Sequence, residues 1–223
     1  MTFRLAVFDM AGTTVADNNA VAIAFQKAFR INGYEITFDD VNPLMGYHKP
    51  VAIQMVLEKL GEEFDEDTVG VIHKDFVDEM INYYEYDPAV KALPFAEEVF
   101  LHLKEKGIYV ALNTGFSHDI AKTILRRFQW KEKGLVDECV ASDEVEQGRP
   151  HSFMIRELMK RTGVDDPAAV LKVGDTEVDI KEGRNSNCGL VIAVTTGACI
   201  REQLEVYHPD HILDNLSELP NLI

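Results

Sequence analysis

An acid at the end of an apolar strand is the feature that most restricts this chain. Residues 3–14 read Phe-Arg-Leu-Ala-Val-Phe-Asp-Met-Ala-Gly-Thr-Thr, an apolar run that stops on Asp9 and turns at once through glycine and threonine. Burying an ionised carboxylate without a partner is costly, so Asp9 is tolerable only where a metal or hydrogen-bond donors neutralise it. In open α/β sheets the carboxyl ends of the strands form the crevice that takes ligands, and this spacing predicts that Asp9 sits there.

Three further anchors follow in order: Ile108-Tyr-Val-Ala-Leu-Asn-Thr114-Gly115, Gly148-Arg149-Pro150, and Val170-Leu-Lys-Val-Gly174-Asp175-Thr176-Glu-Val-Asp179. They supply a hydroxyl, a cation and a pair of carboxylates to accompany the acid. Each has an ordinary reading when taken alone. Thr114 would cap a helix starting near Ser117, Asp175 and Asp179 would be helix amino-terminal anions, and Arg149 would be a surface residue. Together, and in this order, they point to one site.

The pattern between the anchors sets the fold class. Residues 18–85 contain no convincing strand but three helical stripes: Val21, Phe25, Ala28 and Phe29; Val51, Met55, Val56 and Leu60; Val69, Ile72, Phe76, Met80 and Tyr83. Strand and helix signals then alternate, with strands at 108–112, 138–141, 169–173, 190–194 and 211–213 and helices at 117–129, 151–162 and 178–186. Such alternation predicts parallel strands covered by helices on both faces, a Rossmann-like α/β core. The expected organisation is a catalytic core of residues 1–15 and 88–223 with an all-helical cap of 16–87, hinged near 14–17 and 86–91.

Composition narrows the partners. With 22 basic against 38 acidic residues the formal net charge is −16, which repels nucleic acid and anionic membranes. An anionic substrate then needs a locally built site. Cys139, Cys188 and Cys199 are few, odd in number and without metal-ligand spacing, which suits a reducing compartment and small buried hydrophobes. No basic leader and no run of about 18 apolar residues occurs, so a cytoplasmic protein is expected.

The ordered set of Asp9, Thr114, Arg149 and Asp175 resembles the haloacid dehalogenase superfamily, and the match covers nearly the whole chain. The resemblance implies an aspartyl-phosphate on Asp9 and a magnesium ion held by the Asp9 side chain, the Ala11 carbonyl and Asp175. Thr114 and the Gly115 amide would bind a transferring phosphoryl oxygen, and Arg149 would offset its charge. Asp179 is expected either to touch the metal through water or to orient Arg149.

Ala11 is the informative departure. Phosphatases and phosphomutases of the superfamily place a second aspartate there, which protonates the leaving oxygen, a role worth roughly a hundredfold to ten-thousandfold. Asp-x-Ala-Gly-Thr-Thr, Gly-Arg-Pro and Lys-Val-Gly-Asp-Thr-x-x-Asp-Ile-x-Glu-Gly-x-Asn resemble the phosphonoacetaldehyde hydrolases, or phosphonatases. Those use a lysine in Met-Gly-x-x-Lys to form a Schiff base, and this chain has Met45-Gly46-Tyr47-His48-Lys49. Carbon then leaves phosphorus as an enamine and no oxygen acid is required. The family's active-site cysteine and histidine are replaced by Asn19 and Ala52.

Lys49 therefore has three readings: Schiff-base lysine, fixed cation for a substrate anion, or bystander at a helix start. Gly46, His48 and Asn19 join it as candidate substrate contacts. The expected ligand is a small phosphorylated or phosphonate metabolite, with room for a homodimer. A phosphomonoester phosphatase of the phosphoglycolate phosphatase kind is the alternative enzyme, and a binding module that keeps the pocket is the alternative outside catalysis.

Overall fold

The computed structural model describes residues 2–223, so Met1, within the first expected core segment, lies outside the described residues. The chain opens with β1 (Leu5–Phe8), continues through α1 (Ala20–Ile31), α2 (Phe38–Val41), α3 (Lys49–Leu60) and α4 (Glu66–Tyr86), and re-enters the α/β core through α5 (Ala96–Glu105). There follow β2 (Tyr109–Thr114), α6 (His118–Phe128), β3 (Glu138–Ala141), α7 (Phe153–Thr162), β4 (Val170–Gly174), α8 (Glu177–Asn185), β5 (Leu190–Val194), α9 (Arg201–Glu205) and β6 (His211–Leu213).

Among the described residues the six strands form one sheet in the order β3-β2-β1-β4-β5-β6, with every neighbouring pair parallel. The order reverses about β1, and the crevice at such a switch point lies outside the carboxyl ends of the central strands. Successive strand residues point to opposite faces. Ala6 and Phe8 accordingly join one apolar layer, while Leu5 and Val7 join the other with Met154, Leu158 and Ile180. All four β1 side chains are fully buried, which explains a continuous apolar run in place of an alternating one.

The expected strands and helices of the core lie within two residues of those observed. The short helix α2 and the helices α5 and α9 were not legible as periodic stripes.

The helices of the insert pack as one body. Phe25 meets Phe76 at a centroid distance of 4.6 Å, and Phe76 and Tyr84 both reach Phe116 just beyond β2, at 6.4 and 6.0 Å. One apolar layer thus continues from the sheet face into the insert. The sequence stripe expected for the second helix is out of phase. Val51, Met55 and Leu60 are exposed in α3, and the buried residues are Lys49, Ala52, Ile53, Val56 and Leu57. The inward face of α3 begins with a lysine, so an apolar count places the stripe one position off.

The two crossings between core and insert are joined. Val15 bridges Ala92 in antiparallel fashion, the Ala16 amide donates to the Lys91 carbonyl at 3.0 Å, and the Leu93 amide donates to Thr14 at 2.9 Å.

Candidate active site

Asp9 follows β1 directly, with its amide donating to the Val173 carbonyl of β4 at 2.9 Å. The next residues build a tight turn: the amides of Thr14 and Val15 donate to the Met10 carbonyl at 2.9 and 2.8 Å. Gly12 has φ +88°, and a Cβ there would lie 2.5 Å from Asp175 Oδ2, so both conformation and space demand glycine. The two threonines divide the work. Thr13 Oγ1 donates to Asp175 Oδ1 at 3.0 Å, and Thr14 Oγ1 closes on the Asp9 carbonyl at 3.0 Å.

Asp9 and Asp175 are 5 % and 2 % exposed and line the same cavity. Burial pushes the Asp9 carboxyl above its usual range, against the opposing pull of Arg149. Asp175 is raised well above that range by burial and by the charges of Asp9 and Asp179. The Ala198 amide at 2.7 Å and Thr13 occupy one edge of each Asp175 oxygen, and among the described residues no cation pairs with it. Two buried carboxylates, the charge of Asp9 raising Asp175, beside the lining residue Ala11, form an oxygen-only donor set that a hard divalent cation fits. Among the described residues no group of three or more His, Cys, Asp or Glu converges on such a site, so water would supply the remaining ligands.

Behind these acids lies a buried ionic lattice. Arg149 Nη1 sits 2.6 Å from Asp9 Oδ1 and 3.1 Å from Asp179, Nη2 donates to the Asn113 carbonyl and side chain, and Nε donates to Glu182 at 3.1 Å. Lys172, fully buried in β4, reaches Asn113 Oδ1 at 2.7 Å, Asp179 at 2.9 Å and Glu182 at 3.2 Å. Burial alone would raise Asp179, but Arg149 and Lys172 outweigh it and hold its carboxyl below the usual range.

The structure gives two of the expected site residues their places. The guanidinium fork of Arg149 is engaged by protein groups and grips Asp9, and Arg149 is absent from the cavity lining. Asp179 faces Arg149 and Lys172, the second of its two expected places, and is also absent from that lining.

Thr114 ends β2 and lines the cavity with Gly115. Its hydroxyl accepts from the Phe116 amide at 3.2 Å, while the amide of His118 at the start of α6 takes Asp143 instead. A Cβ on Gly115 would strike the carbonyls of Tyr47 and Gly46. The insert therefore presses its Met45–Lys49 segment onto the β2 loop, fastened by Tyr47 Oη donating to Glu177 at 3.1 Å.

That segment delivers Lys49 into the cavity of Asp9, Thr114 and Asp175. Lys49 is 2 % exposed, with Nζ 3.1 Å from the Tyr47 carbonyl and over the rings of Phe116 and Phe25 at 5.3 and 5.8 Å. Burial pushes its amine down to about 8 in spite of the Asp9 charge.

The family model described as haloacid dehalogenase-like hydrolase matches residues 6–193. The chain belongs to that family. This haloacid dehalogenase-like hydrolase is 27 % identical over 254 residues to the phosphonoacetaldehyde hydrolase of Latilactobacillus sakei, covering 97 % of this chain and 93 % of that protein. It is 28 % identical over 230 residues to the Bacteroides fragilis enzyme of the same name, covering 96 % and 85 %. A crystal structure of a phosphonoacetaldehyde hydrolase-like protein from Oleispira antarctica superposes with a TM-score of 0.87 at 22 % identity, covering 100 % and 91 %. One of a predicted phosphoglycolate phosphatase from Haemophilus somnus gives 0.83 at 21 % identity, covering 100 % and 98 %.

In this hydrolase Gly46 lines the cavity, whereas Asn19 and His48 do not. Asn19 is exposed in a left-handed conformation at the start of α1. His48 packs against Gly148, and burial, with the charge of Lys49, holds its imidazole below the usual range against the opposing pull of Asp143. Four residues escaped the sequence reading. Lys172, Glu182 and Asn113 complete the ionic lattice, and Asp17 lines the cavity. A lysine inside the apolar run Val170–Val173, and an acid one turn beyond Asp179, were signals that could have found two of them.

Proposed function

We propose that this hydrolase moves the phosphoryl group of a small phosphonate metabolite to Asp9 and then to water, after Lys49 has joined the substrate's aldehyde as an imine. Phosphonoacetaldehyde is the substrate this reading names. The observation that carries it is the Lys49 amine, buried and reduced in basicity, in one cavity with the carboxylate of Asp9. The curated relatives named above support the same chemistry.

In this mechanism Asp9 attacks phosphorus as the carbon–phosphorus bond breaks, and the bonding pair moves into the carbon–nitrogen system to give an enamine. Ala11 is then chemically adequate, because no alkoxide departs. Arg149 fixes the attacking oxygen and spreads the charge of Asp9, while Thr114 and the Gly115 amide hold phosphoryl oxygens. Asp9, the Ala11 carbonyl and Asp175 would hold magnesium, which would supply charge neutralisation at the phosphoryl group. The helices of 16–87 act as a cap over the core of 1–15 and 88–223 and exclude water from the imine.

The test is phosphate release from phosphonoacetaldehyde, lost on chelation and restored by magnesium. Borohydride added during turnover is expected to leave a reduced adduct on Lys49, and rapid quenching a phosphate-sized mass increment on the peptide bearing Asp9. Turnover without either mark would refute the scheme. A phosphomonoester phosphatase that uses Lys49 only as a fixed cation would show the increment on Asp9 and never the adduct.

A further inference from the structure

We propose that Asp17 is the proton-transfer residue of this site, exchanging protons with the Lys49 amine and the substrate's carbonyl oxygen as the imine forms. This deepens the imine reading and rests on it. Three carboxylates line the cavity: Asp9, Asp175 and Asp17. Asp9 is gripped by Arg149, and Asp175 by Thr13 and Ala198. Asp17 makes no ion pair among the described residues. It lies where the first linker enters the insert, and its Oδ1 accepts from the Val21 amide at 3.2 Å, which anchors the side chain at the start of α1.

Tyr84, fully buried and pushed up by burial and then by the charges of Asp17 and Asp9, lies outside the cavity lining. Tyr83 and Lys49 are the other titratable groups facing Asp17. Burial holds Asp17 above the usual carboxylate range while it pulls the Lys49 amine down to about 8, so the proton affinities of the two approach each other. With alanine at position 52, no imidazole lines this cavity.

The balance is as follows. The Lys49 ammonium gives a proton to the Asp17 carboxylate, and the freed amine adds to the aldehyde carbon as the carbonyl π pair moves to oxygen. The Asp17 carboxyl relays one nitrogen proton to that oxygen, giving a neutral carbinolamine. It then gives its own proton to the hydroxyl, which leaves as water while the nitrogen lone pair forms the iminium. Asp17 ends as the carboxylate it began as.

The experiment compares wild type with Asp17→Asn and Asp17→Ser, each of which retains an oxygen able to accept from Val21. Phosphonoacetaldehyde and borohydride are added at pH 7, and the adduct on Lys49 is timed by peptide mass. Both variants are expected to label about 100-fold more slowly, to recover part of the rate with added formate, and to unfold within a few degrees of wild type. Variants that label as fast as wild type would overturn the role of Asp17 and leave the imine intact. Phosphate release by wild type with no adduct would sink the imine, and the role of Asp17 with it.

Discussion

The reactivity of Lys49 offers the sharpest measurement. Its amine is pushed down to about 8 by burial. At pH 7 roughly one molecule in ten would then carry the neutral amine, against about one in three thousand for a lysine at the ordinary value of 10.5. Imine formation needs the neutral form, so Lys49 should trap an aldehyde about 300-fold faster than a solvent-facing lysine at that pH. The assay is reductive labelling with phosphonoacetaldehyde from pH 6 to 11, in the presence of chelator, followed residue by residue by peptide mass. Labelling of Lys49 should rise to half its maximum near pH 8 while surface lysines lag by more than two pH units. Asp9 opposes the shift, because its negative charge favours the ammonium. Asp9→Asn should therefore move the midpoint below that of wild type. A midpoint near 10.5, or one that rises in Asp9→Asn, would refute the claim that burial beside Asp9 sets the basicity of this amine.

Three further outcomes follow from the same geometry. Arg149→Met would leave Asp9, Asp179 and Glu182 facing Lys172 alone, a loss of about 3–5 kcal/mol and, at ~2–4 °C per kcal/mol, a fall of roughly 6–20 °C in thermal midpoint by calorimetry; a fall under about 3 °C would contradict the lattice. Lys49→Met should stabilise the fold, because below pH 8 the native state bears the burial of an ammonium that the unfolded chain keeps in water. The gain, up to about 3 kcal/mol at pH 7, should fade as pH rises from 8 to 10.5 and native Lys49 becomes neutral, as checked by urea unfolding at both ends of that range. Gly115→Ala places a methyl against the Tyr47 and Gly46 backbone carbonyls, so it should raise KM and cost about 1–3 kcal/mol of stability; an unchanged KM and thermal midpoint would mean that the insert segment yields freely.

Much of the core was legible because its chemistry falls where strands end. Asp9, Thr114 and Asp175 each follow an apolar run, and parallel pairing brings those ends together. The role of Arg149 was less legible. Sequence proximity to Pro150 says nothing of which oxygens the fork meets, and only the fold shows it saturated by Asp9, Asn113 and Glu182. Lys49 was visible through the Met-Gly-x-x-Lys spacing, yet the helix that carries it was read out of phase, because apolar counting discards a charged residue on the inward stripe. Asp17 gave no signal of its own. Among 38 acidic residues it is set apart by the bend that turns it inward at the start of α1.

The joined crossings at Val15 and Ala92 bear on how the site is assembled. The chain leaves the sheet and returns to it side by side, in one antiparallel bridge. Lys49 and Asp17 belong to the segment between those crossings, whereas Asp9, Arg149 and Asp175 lie outside it. In the proposed scheme the groups that handle the carbonyl and those that handle phosphorus thus come from opposite sides of a single seam.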